Sequence, residues 1–338
     1  MKSLVCTTPG LLEYADTRQP VVQPGRAIIK IKQVGICGTD LHAFEGTQPY
    51  FSYPRILGHE IAAAVADNTY APDFDINEPV TILPYFNCGI CKPCRSGKPN
   101  CCTDLKVCGV HVDGALVDYL SVPAHSLVHA DGLDNDELAL AEPLAIGAHA
   151  ISRANVKAGE CVLVIGAGPI GMGVIEFAHI AGAKVIVIDI NHDRLQFCRD
   201  HLPVSLALHA ASATITEALM EFTKADMPDV VIDATGNLGA INNAFQYMGH
   251  GGRYVLVGLQ KGAIQFNQPA FHKREGTLMS SRNAIRSDFE QVMDALKKKK
   301  VKPVTYITHR LDFASLKNDF GDLLDPSNKV IKAMVSIN

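Results

Sequence analysis

An apolar run, Cys161–Val162–Leu163–Val164–Ile165, passes directly into Gly166–Ala167–Gly168–Pro169–Ile170–Gly171 and from there into a helical pattern. Glycines at that spacing have a mechanical reason where a buried strand turns sharply into a helix. Gly166 allows the tight turn, Gly168 lets the backbone approach an anion, and Gly171 lets helix and strand pack closely. Pro169 suits the first helical position and Ile170 continues it. The amides freed at the helix start, with the dipole behind them, suit a pyrophosphate. The next strand, Lys184 to Asp189, ends in a carboxylate 18 residues after Gly171. A carboxylate there accepts hydrogen bonds from a ribose 2′-hydroxyl and repels a 2′-phosphate, so the pattern predicts NAD rather than NADP.

Strands and helices alternate on both sides of this turn. A helix is expected from about Pro169 to Ala181 and another from His192 to His201, with further strands at Ser205–Leu208, Asp229–Asp233 and Gly252–Val257. Such alternation predicts a doubly wound parallel sheet of the Rossmann type, covered on both faces. Thr235–Gly236 and Val257–Gly258 follow strand ends on the same side, so their backbones are expected near the nicotinamide half of the cofactor. Before Leu140 the character differs. Short alternating segments such as Ala27–Val34 and Val117–Val122 are separated by Gly, Pro and Asn-rich turns, the pattern of an irregular β domain. Beyond Ser281 an amphipathic helix, Asp288 to Lys300, puts Phe289, Val292, Met293 and Leu296 on one face, and Lys329–Ile337 reads as a strand. The tail is expected to return to the first domain. The expected organisation is α/β: residues 1–142 with 282–338 as the catalytic domain, and 143–281 as an inserted nucleotide domain.

The 338 residues exceed one ordinary core and suit two domains. A net charge of −4 and the lack of a basic stripe speak against nucleic acid. The lysine run Lys297–Lys300 reads as a solvated helix end. No apolar stretch has the length of a membrane span and no leader pattern opens the chain, so the expectation is a cytoplasmic protein with a small-molecule substrate. Ten cysteines in such a chain argue for buried small hydrophobes or metal thiolates rather than disulfides. Cys6, Cys161 and Cys198 lie in apolar surroundings and read as the former.

Cys88-x2-Cys91-x2-Cys94-x7-Cys102 supplies four thiolates able to close a tetrahedron. Four sulfurs leave zinc no open position, so such a site is structural and pins a lobe, residues 87–104, that is poor in apolar residues. Cys101 competes with Cys102 for the fourth place; Cys102 preserves the longer reach. A second, dispersed group comprises Gly35–Ile36–Cys37–Gly38–Thr39–Asp40–Leu41–His42, Gly58–His59–Glu60 and Glu142–Pro143–Leu144. Thiolate, imidazole and carboxylate with one position left open is the pattern of a catalytic zinc. On local chemistry alone Glu142 could simply open a helix before Pro143, and His42 could be an ordinary histidine.

Taken in order along essentially the whole chain, these motifs resemble the zinc-dependent medium-chain alcohol dehydrogenases. The resemblance is to their sorbitol, threonine and sugar-acid branch. Phe51–Ser52–Tyr53–Pro54–Arg55, Phe271–His272–Lys273, Ser281–Arg282–Asn283 and Ile307–Thr308–His309 extend it toward bacterial L-galactonate-type hexonate dehydrogenases. The resemblance implies a GroES-like irregular β-barrel catalytic domain, two zinc ions per chain, NAD, and a homo-oligomer. It assigns Cys37, His59 and Glu60 to the catalytic zinc and Glu142 to a place at or beside it. Asp40 is assigned to orienting the histidine ligand, Thr39 and His42 to a proton relay, and Arg194 to the adenine ribose. Ala63, and Asn77–Glu78–Pro79–Val80, depart from the family's pattern at what are expected to be barrel turns.

The implied reaction is oxidation of a secondary alcohol of a polyol or sugar acid: zinc polarises the oxygen, Thr39 and His42 carry the proton outward, and hydride passes to NAD. The segment Ser280–Asn283 is expected at the mouth of an interdomain cleft, where Arg282 could grip a carboxylate and Asn283 add a hydrogen bond. The rival readings are an amino-alcohol (threonine) or plain polyol substrate, a zinc-free reductase, and a nucleotide-binding regulator on the same fold. The last two would lack ligand or relay residues that this chain has.

Overall fold

Every side chain of Cys161–Ile165 is buried, which requires cover on both faces of the sheet that holds it. The structure, a computed structural model, describes residues 1–337. By its internal contacts the chain divides into two compact units, Pro143–Asn283, and Met1–Glu142 together with the chain from Ala284 onward.

In the Pro143–Asn283 unit the strands run parallel in the order Leu206–His209, Lys184–Asp189, Cys161–Ile165, Val230–Asp233, Arg253–Leu256, Thr277–Ser280. Val162 faces Val185 on one side and Val230 on the other, and Ile165 faces Ile188 and Asp233. Strand order reverses at Cys161–Ile165, so the ends of this strand and of Val230–Asp233 bound the crevice where open α/β sheets bind ligands. The helices Pro169–Ile180 and His192–His201 follow as the periodicity predicts. The strands expected at 205–208 and 252–257 occur one residue later and two residues shorter, at Leu206–His209 and Arg253–Leu256. Thr277–Ser280 was not anticipated. It is a four-residue edge strand with no fully buried residue, so it carries no apolar signature.

The other unit is antiparallel for the most part. Arg26–Ile36 is its spine, pairing with Glu60–Asp67, with Tyr119–Pro123 and with Lys332–Ser336. The core lies between its sheets, with Leu4, Ile29, Ile31, Val34, Val65, Val80, Val122 and Val335 all buried. Lys332–Ser336 also pairs in parallel with Ile307–Asp312, so the C-terminal strand is internal to its sheet. It is shorter than the expected 329–337 because Pro326–Asn328 is a helical turn and Lys329 adopts a positive φ. Ala63 is not a turn residue: it lies inside Glu60–Asp67, paired with Ile31 and Val80 and 1% exposed, where a small apolar side chain fills the interior. Asn77 is a turn residue, with φ 66°.

The amphipathic helix begins earlier than expected, at Arg286, and ends at Lys297, with Phe289, Val292, Met293 and Leu296 buried. The lysine run at its end is exposed, as expected of a solvated helix end, and makes surface ion pairs. Lys297 pairs with Asp131, Lys298 with Asp294 at 2.8 Å and Lys299 with Glu137 at 2.7 Å. No helix among the described residues is long and apolar enough to cross a membrane.

Candidate metal centre and nucleotide site

Antiparallel register builds the first site. Gly35 lies opposite Glu60, so the end of Arg26–Ile36, where Cys37 follows, comes level with His59 and Glu60 at the start of the neighbouring strand. Cys37 is also the N-cap of the helix Gly38–Glu45. Its N–H donates to Asp40 Oδ2 at 2.9 Å, and the other oxygen of Asp40 accepts from the N–H of Gly58 at 3.0 Å. Asp40, fully buried, therefore ties the two ligand-bearing segments together. Cys37 Sγ, a ring nitrogen of His59 and a carboxylate oxygen of Glu60 all lie within 4.8 Å of one another.

The residues fit a divalent ion by three signs. Soft and hard donors converge, three side chains of the kinds that hold zinc in a reactive site. His59 Nδ1 is buried without a hydrogen bond among the described residues, 3.7 Å from Asp40 Oδ1. Finally, acidic groups crowd the imidazole. Burial opposes the imidazolium, yet Asp40, Cys37 and Glu142 together hold it well above the usual histidine range. That concentration of negative charge is what a cation relieves. Glu142 is not in the converging set. Its carboxylate accepts a short hydrogen bond from Tyr85, and burial raises its pKa.

In the lobe, Cys88, Cys91, Cys94 and Cys102 bring their sulfurs within the same 4.8 Å. The two-stranded pair Tyr85–Phe86 and Lys106–Val107 brackets this lobe. Cys102 is the fourth member and Cys101 is exposed. The N–H groups of Cys88 and Asp104 donate to Cys102 Sγ at 3.3 and 3.4 Å. N–H groups of Cys94 and Thr103 pull the Cys91 thiol down to about 6. Amides directed at sulfur favour thiolate, the form that binds zinc. Elsewhere, Cys6 and Cys161 have thiols pushed up to about 11 and Cys198 to about 12 by burial, as inert core cysteines should be.

The glycine turn has the geometry its spacing predicts. Gly166 has φ 100°, and a Cβ there would meet Thr235 Cγ2. A Cβ on Gly171 would overlap the carbonyl oxygen of Gly166. Pro169 and Ile170 open the helix, with Gly168 as its N-cap. Asp189 lies beside the turn. Its Oδ2 accepts from Ala167 N at 2.5 Å and its Oδ1 from Asn191 N at 2.7 Å. Arg194 reaches back over Gly168, its Nη1 3.7 Å from where a Cβ would stand. The two remaining loops share one anchor. Asp233 accepts from Thr235 Oγ1 at 2.5 Å and Gly236 N at 3.1 Å through its carboxylate, and from Val257 N and Gly258 N through its carbonyl.

This arrangement can be set beside known proteins. The model for the alcohol dehydrogenase GroES-like domain matches residues 23–132, and that for zinc-binding dehydrogenase matches 169–298. L-galactonate-5-dehydrogenase of Escherichia coli K12 is 41% identical over 337 residues, 99% of either chain. The chain belongs to the zinc-type medium-chain alcohol dehydrogenases. A sorbitol dehydrogenase of Halalkalibacterium halodurans is 32% identical, covering 91% of this dehydrogenase and 92% of that one. Among solved structures, the short chain alcohol dehydrogenase rspB of Escherichia coli CFT073, in complex with NADH, superposes with a TM-score of 0.92 at 29% identity. It covers 100% of this chain and 99% of the other.

Other expected site residues of the dehydrogenase are placed as follows. Thr39 is half-buried on the first turn of Gly38–Glu45. His42 is on the same helix, exposed, with Nδ1 3.3 Å from Glu45 and 3.2 Å from Thr47 Oγ1. Arg282 is exposed; Asn283 has φ 54° and a buried Nδ2. Three residues escaped the sequence reading. Asp233 ends a strand just before Thr235–Gly236, a position shared with Asp189 that could have exposed it. Tyr85 gives no signal in sequence. Lys332 does: it is a lone charge inside the apolar run Val330 to Val335, and it is 2% exposed.

Proposed function

We propose that this dehydrogenase oxidises a secondary hydroxyl of a hexonate, with L-galactonate the favoured substrate and carbon 5 the favoured position, reducing NAD. The convergence of Cys37, His59 and Glu60 carries the reading. The 41% identity to an L-galactonate-5-dehydrogenase over nearly the whole chain gives the substrate class. Bound in that set, zinc would supply Lewis acidity to the alcohol oxygen, and NAD the hydride acceptor.

The chain's own residues do the rest. Asp40 fixes Cys37 and the His59 segment relative to each other. Tyr85 holds Glu142 beside the ligands, keeping a second acid at the site. Thr39 and His42, one helix turn apart, carry the alcohol proton to solvent, and the exposure of His42 suits the outer end of that relay. The Cys88, Cys91, Cys94 and Cys102 set holds a second, structural zinc. Asp189 selects NAD, and Arg282 with Asn283 receives the substrate carboxylate. Ten free cysteines among the described residues favour the reducing cytoplasm.

A substrate panel tests the reading, with NAD reduction followed at the nicotinamide absorbance. L-galactonate should be turned over with a kcat/KM well above those for galactitol, sorbitol and L-threonine. Preferred turnover of an uncharged polyol or of threonine would reassign the substrate.

A further inference from the structure

Lys332 is 2% exposed and Glu60 is fully buried. Nζ donates to both oxygens of Glu60, at 2.6 and 2.7 Å, and to the carbonyl of Ile36 at 3.1 Å. All three N–H directions of the ammonium are thereby used, so it has none to offer a substrate. Its position is built in. Ala333 pairs with Ile36 across the sheet, which sets the preceding lysine at the end of Arg26–Ile36 where Cys37 follows. Gly35 leaves the room: a Cβ there would stand 3.0 Å from that of Glu60 and run into its carboxylate.

An ammonium is costly to bury and persists only where a matching charge compensates it. Glu60, Cys37, Asp40 and Glu142 put several acidic groups in one buried space, and a divalent ion offsets only two charges. We propose that Lys332 is a positioning residue of the metal centre, the resident counter-charge that shares the buried Glu60 carboxylate with zinc and compensates it while zinc comes and goes. The inference rests on the zinc reading above. It carries a cost in metal affinity, because a fixed positive charge that shares Glu60 repels the ion. The open site can then lose its zinc without leaving an uncompensated carboxylate in the core.

The test uses the zinc-loaded protein and its Lys332→Met, Lys332→Arg and Glu60→Gln/Lys332→Met variants. Dipicolinate strips the open site, native mass spectrometry counts zinc per chain, and thermal unfolding is measured before and after. Lys332→Met should release its open-site zinc at least about tenfold more slowly than the parent. Once stripped, its Tm should fall by about 10 °C more than the parent's does. Lys332→Arg should follow the parent, and in the double variant the extra fall should vanish. A lysine needed only for packing would give faster zinc loss and no rescue by Glu60→Gln. Equal Tm losses, or faster release from Lys332→Met, overturn the inference. If Lys332→Met does not fold, a folded double variant supports the proposal and an unfolded one overturns it. A parent protein with zinc only in the four-cysteine lobe would instead refute the function proposed above.

Discussion

Replacing Asp189 by asparagine separates two roles of one carboxylate. In the structure its two oxygens each accept a backbone N–H, from Ala167 at 2.5 Å and from Asn191 at 2.7 Å, and the residue is 9% exposed. An amide has one oxygen. It can satisfy one of those N–H groups, while its NH2 faces the other, donor against donor. One buried N–H loses its partner, which costs about 1–3 kcal/mol. For a chain of 338 residues that is a fall in Tm of roughly 1–4 °C. The same change removes a charged acceptor for the ribose hydroxyl, worth about 1.5–3 kcal/mol, or about 10- to 150-fold in kcat/KM for NAD. Activity with NADP should fall far less, since repulsion of the 2′-phosphate is relieved together with the lost hydrogen bond. Steady-state kinetics with both cofactors, alongside thermal unfolding, reads the two roles independently. Asp189→Asn that lowers Tm but leaves the NAD to NADP ratio unchanged would refute the specificity role. A parent enzyme that uses both cofactors equally would do so as well.

Protein purified without chelator should carry two zinc ions per chain by native mass spectrometry. Cys37→Ser should lose one, together with turnover, and keep its fold, whereas Cys91→Ser should lose the other and unfold more readily; a single zinc indifferent to Cys91 would remove the structural site. Arg282→Lys should raise KM for a hexonate about tenfold or more while sparing the matching polyol, because lysine cannot present the planar fork, and equal effects on both substrates would discard the carboxylate role. The hydrogen bond from Arg310 holds the Asp136 carboxyl below its usual range, so this pair's stabilisation is full above the ordinary carboxylate pKa and lost as pH falls through the depressed one. In Asp136→Asn the decline of Tm in acid should accordingly be shallower, and an unchanged acid limb would show the pair to be idle.

The features legible in sequence are those whose reason is local. The Gly166–Gly171 turn needs glycine for contacts with its own strand, helix and neighbouring loop, and the four-cysteine lobe closes within fifteen residues. The strand Lys184–Asp189 and the helix His192–His201 end where an apolar run and a cap say they should. Legibility fails where a residue's meaning depends on distant chain. Lys332 stands out as a lone charge in its apolar run, but Glu60 is 272 positions away, so the sequence does not say which group it meets. Ala63 resembles a replaced turn glycine until its strand partners are known. Thr277–Ser280 is too short and too exposed to show a period, and becomes a strand because Arg253–Leu256 offers an open edge. Asp233 lay between these cases: the position is readable, but its service to two loops at once is not.

The internal place of Lys332–Ser336 has a bearing on how the chain is born. The spine Arg26–Ile36 and its C-terminal neighbour are separated by nearly the whole polypeptide, and a ribosome adding about 5–20 residues per second makes the second some 15–60 s after the first. During that interval the spine has an unpaired edge, and the Glu60 side of the metal centre lacks its lysine. The inserted Pro143–Asn283 unit draws all six of its strands from one continuous stretch and can be complete well before synthesis ends. The nucleotide-binding unit can therefore mature before the catalytic unit, and a premature stop between codons 284 and 332 would leave the former whole while denying the latter this internal strand.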